Sequence, residues 1–165
     1  MIPSNCSQWF RFCFAVIASA MLALPAAYCG DRVPVKSSLT GYTVSRETIG
    51  DPLNFGVPFA EVVNEAQGTA SHSGRIHIVS RYLLKLVIEN GIPIVIGEGT
   101  YITTTANGTV WNGTFVLRQP LGQSAFTFEA MEDSGAILHG IGESLPNGTF
   151  SYKTRGTLPN PGHNR

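Results

Sequence analysis

Short runs rich in β-branched and aromatic residues recur along this chain, and glycine-bearing turn signals divide them. GRIHIVSRYLLKLVIE, IPIVIGEGTYITTT, TVWNGTFVLRQ, SAFTFEAME, GAILHGIGES and TFSYKTRGTL follow in order. Between them lie Asn90-Gly91, Asn107-Gly108, PLGQ and Pro146-Asn147-Gly148. A chain punctuated in this way folds as a β-sandwich or an up-and-down barrel, and hairpin-like links between neighbouring runs favour the barrel. One stretch, Arg81 to Asn90, also has helical spacing at Tyr82, Leu83, Leu86 and Val87. A strand is preferred there because the runs on both sides are strands.

Composition agrees with strands. Hydrophobic residues make up 43% of the 165, enough for one core, while charged residues are only 13% and glycines number 18. Few Lys and Glu are left to coat helices. The net charge of +0 leaves no electrostatic footprint for nucleic acid.

The N-terminus reads as an export signal. Arg11 precedes the apolar run FCFAVIASAMLALPAA, and Pro25 and the small Ala26 and Ala27 follow. The expected organisation is a signal peptide over 1–27, a flexible leader over 28–38, a barrel over 39–158 and a disordered tail over 159–165. An exported, periplasmic or extracellular protein follows. The apolar run is shorter than the ~20 residues of a membrane span, and no other stretch suits one, so no transmembrane segment is expected after signal removal. Cys29 would be the one cysteine left, so no intramolecular disulfide can form. Tyr28 before it disfavours lipid anchoring.

No metal or cofactor is expected. His72 and His77 are five apart and face opposite sides of a strand, and Cys29 has no partner. A nucleophile elbow and a phosphate-binding loop are absent. The sequons at Asn107, Asn112 and Asn147 all carry a central glycine, which turn chemistry explains unaided.

The hairpin TANGTVWNGTF suggests the barrel's faces. A two-residue type I′ turn at Asn107-Gly108 would set Thr104 opposite Trp111, Ile102 opposite Gly113 and Glu98 opposite Leu117. Asn112-Gly113 is then mid-strand, with Gly113 making room for Ile102 or marking a bulge. One face collects Ile94, Ile96, Glu98, Thr100, Ile102, Trp111, Phe115 and Leu117. It is the more apolar, so it is placed inside. Phe150 and Tyr152 alternate with Ser151 and Lys153 and join it. The expected ligand-lining set is Ile96, Ile102, Trp111, Phe115, Leu117 and Phe150. Glu98 falls inside, and His139 shares a face with Ile137 and Ile141. Glu98, His139 and Tyr152 are therefore candidate catalytic residues for acid–base or ligand-polarising chemistry. The plainer alternative is a rim glutamate touching solvent and a satisfied core histidine.

QGTASHSGRIHI followed by GEGTYITTTANGTVWNGTF resembles small exported bacterial proteins of unknown function, relatives of the allene oxide cyclase and dirigent barrels. The resemblance spans about residues 36–158 and implies a single antiparallel eight-stranded up-and-down β-barrel. It brings no catalytic residue with it. Three functions stay open: a binding module holding a small hydrophobic ligand, a structural or oligomerising barrel, and a cyclase- or isomerase-type enzyme. The first two rank above the third, because no catalytic constellation stands out.

Overall fold

A computed structural model describes residues 32–159. The expected signal peptide, its cleavage point and Cys29 lie outside the described residues, as does the expected tail beyond Pro159. Eight strands follow in chain order: β1 Arg32–Thr48, β2 Pro58–Ala70, β3 Gly74–Glu89, β4 Ile92–Thr105, β5 Val110–Pro120, β6 Ala125–Glu132, β7 Ile137–Ser144 and β8 Thr149–Pro159. Each pairs antiparallel with the next, and β8 returns to β1 through pairs running from Arg32↔Pro159 to Tyr42↔Thr149. The fold is thus the closed eight-stranded up-and-down barrel, with no free edge. Arg81–Glu89, ambiguous in sequence, lies within β3.

The barrel begins earlier than residue 39. Residues 32–38, expected as leader, form the first part of β1; all pair with β8, and Ser37 and Ser38 also pair with β2. Lys36 and Ser38 gave this segment its polar look, but they alternate with Val35 and Leu39, which are buried. The polar half of an alternating strand has the composition of a linker, which is why the strand is hidden in the sequence. Register shifts between Thr43 and Ser45 in β1, and between Pro58 and Ala60 in β2, mark bulges beside the loop at 49–57.

The turn chemistry decides which face is inside. Asn90 and Gly91 both have positive φ, 51° and 79°, and link Glu89 to Ile92 directly. This is the two-residue type I′ turn. Asn107 has no positive φ; only Gly108 does, at 83°. Gly108 N–H donates to Thr105 O at 3.0 Å, and Thr105 N–H donates to Thr109 O at 2.9 Å. That is a three-residue loop, a type I turn closed by a left-handed glycine. Asn107 Oδ1 accepts from Thr109 N–H at 3.2 Å and stabilises it.

The extra loop residue moves the register by one. Ile102 pairs with Asn112, Tyr101 with Gly113, and Glu98 with Val116. A one-residue slip turns every side chain of a strand to the opposite face. β5 keeps its expected orientation, with Trp111, Phe115 and Leu117 inside, and Asn112-Gly113 is mid-strand. β4 is inverted: Val95, Tyr101 and Thr103 face the interior, while Glu98 and Ile102 face outward.

Candidate functional site: the barrel interior

Inward residues enclose a cavity of about 750 Å³. An eight-stranded barrel can be filled by its own side chains or leave space at its centre, and this one leaves space. The lining is mostly apolar and strongly aromatic, led by Trp111, Phe115, Phe126, Phe128, Phe150 and Tyr152. The rings brace one another. Tyr82 meets Phe115 edge-on at 5.4 Å, and Phe128 meets Tyr152 edge-on at 5.2 Å. Phe150 stacks on Tyr152 at 6.0 Å.

Glycines facing the interior let these rings lie flat against the wall. A Cβ on Gly113 would sit 2.5 Å from Tyr101 Cζ, and one on Gly140 would collide with the Phe128 ring. Gly113 thus makes room for Tyr101, its true cross-strand partner, and not for Ile102.

Cavity-lining loops include Pro52 of the β1–β2 loop, Leu121 of the β5–β6 loop and Leu145 of the β7–β8 loop. These three loops and the β3–β4 turn all lie at one end of the barrel. That rim is apolar yet exposed: Leu53, Phe55, Ile88, Ile92, Leu121 and Leu145 all present large side chains to solvent. Clustered exposed apolar groups of this kind mark interaction or entry surfaces.

Among the polar groups of the lining, two hold a buried oxygen without a hydrogen-bond partner. In one, Asn64 Nδ2 donates to the Tyr82 hydroxyl at 2.9 Å, leaving Asn64 Oδ1 buried without a partner. Burial raises the Tyr82 pKa, and the Asn64 hydrogen bond and the Arg46 charge oppose the rise. The other spot brings Tyr101 of β4 together with Glu132 of β6 across β5, since Gly113 pairs with both. Both residues are 7% exposed. The Tyr101 hydroxyl is buried with no hydrogen-bond partner. Burial pushes its ionisation far above the ordinary range, and the charge of Glu132 adds to this. Burial also raises the Glu132 carboxyl, against a lowering hydrogen bond from Ser134 Oγ at 3.3 Å. Burial likewise holds the Tyr152 hydroxyl neutral.

The expected catalytic trio does not assemble. Glu98 stands on the outer wall, its side chain half exposed, and pairs with Lys85 Nζ at 2.8 Å. It was placed inside by the two-residue turn, which the three-residue loop replaces. His139 is also outside, 3.6 Å from Glu129 and largely exposed. The outward face of β7 carries Ile137 and Ile141 as well, both exposed, so their apolar character misdirected the assignment. Only Tyr152 of the three lines the cavity.

Of the expected lining residues, Trp111, Phe115, Leu117 and Phe150 face the interior. Ile102 is 49% exposed on the outer wall. Ile96 shares its face, flanked by its cross-strand partners Lys85 and Arg118, and is buried there outside the cavity. Sequence reasoning missed Glu132 and Tyr101. Glu132 was within reach, because alternation from Phe126 and Phe128 leads through Ala130 to Glu132. Tyr101 was hidden by the slipped register.

Among the described residues no cluster of three His, Cys, Asp or Glu could hold a metal ion, and no helix is long and apolar enough to cross a membrane. Comparison with protein-family models, with curated proteins and with solved structures gave no match.

Proposed function

We propose that this chain is an exported binding module that holds one small hydrophobic ligand inside its barrel. The observation that carries this reading is the aromatic-lined cavity of about 750 Å³. Its volume lies within the usual range of small-molecule sites, and its few polar groups are of the kind that orient a ligand. The exposed apolar rim around Leu53, Phe55, Leu121 and Leu145 supports entry from that end, since contact there removes apolar surface of both partners from water, whereas a charged mouth would have to give up its own hydration. Export is supported by Arg11 and the apolar run that follows it, and by the resemblance of residues 68–115 to small exported bacterial proteins related to the allene oxide cyclase and dirigent barrels. Periplasm or cell exterior is the compartment this implies.

Mass spectrometry under native conditions tests the reading on protein extracted gently from its own source. The expected spectrum has a second species heavier by one small apolar molecule, which organic solvent releases. A single bare species in repeated preparations, unchanged after incubation with lipid extract, would count against it.

A further inference from the structure

We propose that Tyr101 and Glu132 form the polar pole of the cavity and that the pole receives the hydroxyl group of an otherwise apolar alcohol or phenol. The inference rests on the reading of the interior as a ligand site and names the ligand's chemistry. Tyr101 and Glu132 project inward from strands on either side of β5, both in register with Gly113. The Tyr101 ring lies over Gly113, the one residue type that leaves it room there. Three polar side chains of the same interior, Ser37, Thr154 and Thr105, already have partners. Ser37 Oγ and Thr154 Oγ1 are hydrogen-bonded at 2.6 Å, and Thr105 Oγ1 donates to Thr109 O at 3.2 Å. The Tyr101 hydroxyl has none. Glu132 has only the long bond from Ser134, so most of its acceptor capacity is unused.

Leaving the Tyr101 hydroxyl buried and unmet costs free energy that a complementary ligand recovers. A hydroxyl fits both at once: its oxygen accepts from Tyr101 and its hydrogen is donated to Glu132. The fit survives protonation of Glu132, because a hydroxyl can also accept. An ammonium fits less well, since burial disfavours the charged carboxylate that would balance it. A ligand carboxylate would lose its hydration with no cation in the pole to balance it.

The test uses the full chain with Trp9→Phe, in which Trp111 is the sole tryptophan and lines the cavity. Energy transfer from Trp111 reports binding of pyrene, 1-hydroxypyrene, 1-pyrenemethylammonium and 1-pyrenecarboxylate. The expected order places 1-hydroxypyrene about tenfold or more tighter than pyrene and tighter than both charged analogues. Tyr101→Phe should abolish the preference for 1-hydroxypyrene over pyrene; that variant loses no protein hydrogen bond and should stay folded. Glu132→Gln should reduce the preference. Equal binding of pyrene and 1-hydroxypyrene to the Trp9→Phe protein overturns the pole while the cavity reading stands. A preference that survives Tyr101→Phe but is lost in Asn64→Leu moves the pole to Asn64 and also overturns the assignment. Absence of saturable binding by any of the four overturns both.

Discussion

Gly113 lies beneath the ring of Tyr101: a Cβ on Gly113 would fall 2.5 Å from Tyr101 Cζ and 2.5 Å from the carbonyl oxygen of Met131. The contact ties β4 to β5 and fixes which residues of β4 see the interior. Gly113→Ala should therefore destabilise the barrel by ~1–3 kcal/mol through overpacking. Urea unfolding followed by tryptophan fluorescence measures it. A change within ~0.5 kcal/mol of zero would show that the ring does not occupy that place.

The β4–β5 register can be read by cross-linking. In a background with Cys6, Cys13 and Cys29 changed to Ser, the pair Ile102→Cys and Asn112→Cys should oxidise to a disulfide, because these residues are directly paired. The pair Ile102→Cys and Gly113→Cys, which a two-residue turn would align, should not, since its side chains point to opposite faces. Quantitation of free thiols after mild oxidation separates the two registers.

Glu98 is expected to matter little. It belongs to an outer-wall ion pair with Lys85 and is half exposed. Pairs of this kind contribute about 0–1 kcal/mol. Glu98→Gln should lower stability by no more than that and leave ligand affinity unchanged. Loss of ligand binding in a folded Glu98→Gln protein would return Glu98 to the interior.

Glu132 should make stability depend on pH. Burial raises its folded pKa above the ordinary value, with the Ser134 hydrogen bond opposing. Between the unfolded and folded values the native state binds more protons than the unfolded state, so stability falls as pH rises through that window. The contribution is fully present below the ordinary Glu pKa and is lost above the folded value. Glu132→Gln does not titrate. Its stability relative to the unsubstituted protein should rise as pH increases above the ordinary Glu pKa of about 4, as read by urea unfolding at each pH. A difference that is flat with pH, or that runs the other way, would contradict the buried placement of Glu132.

The barrel was legible in the sequence because its signals are local: period-two alternation in each run and glycine turns between them. The faces of β5 and β8 were legible too, since Trp111 and Phe150 are large apolar groups on alternating strands. β4 was not, for two physical reasons. Asn-Gly serves both the type I′ turn seen at Asn90 and the three-residue loop seen at Asn107, and the dipeptide alone does not distinguish them. Counting apolar side chains then chose the wrong side. The inner face of β4 carries Gly97 and Gly99, small because rings and backbone crowd them, while isoleucines occupy the outer face. In a narrow barrel, glycine at alternate positions marks the crowded side. His139 failed similarly, since Gly140 and Gly142 mark the inner face of β7.

The central claim is that the interior is open to one apolar guest, and a stoichiometric titration tests it most directly. In the Trp9→Phe protein, Trp111 emission should fall on addition of pyrene and saturate at one equivalent. Ala130→Phe, which places a ring in the cavity beside Phe128, should abolish saturation while the protein stays folded. Quenching that never saturates, or that saturates identically in Ala130→Phe, would contradict it.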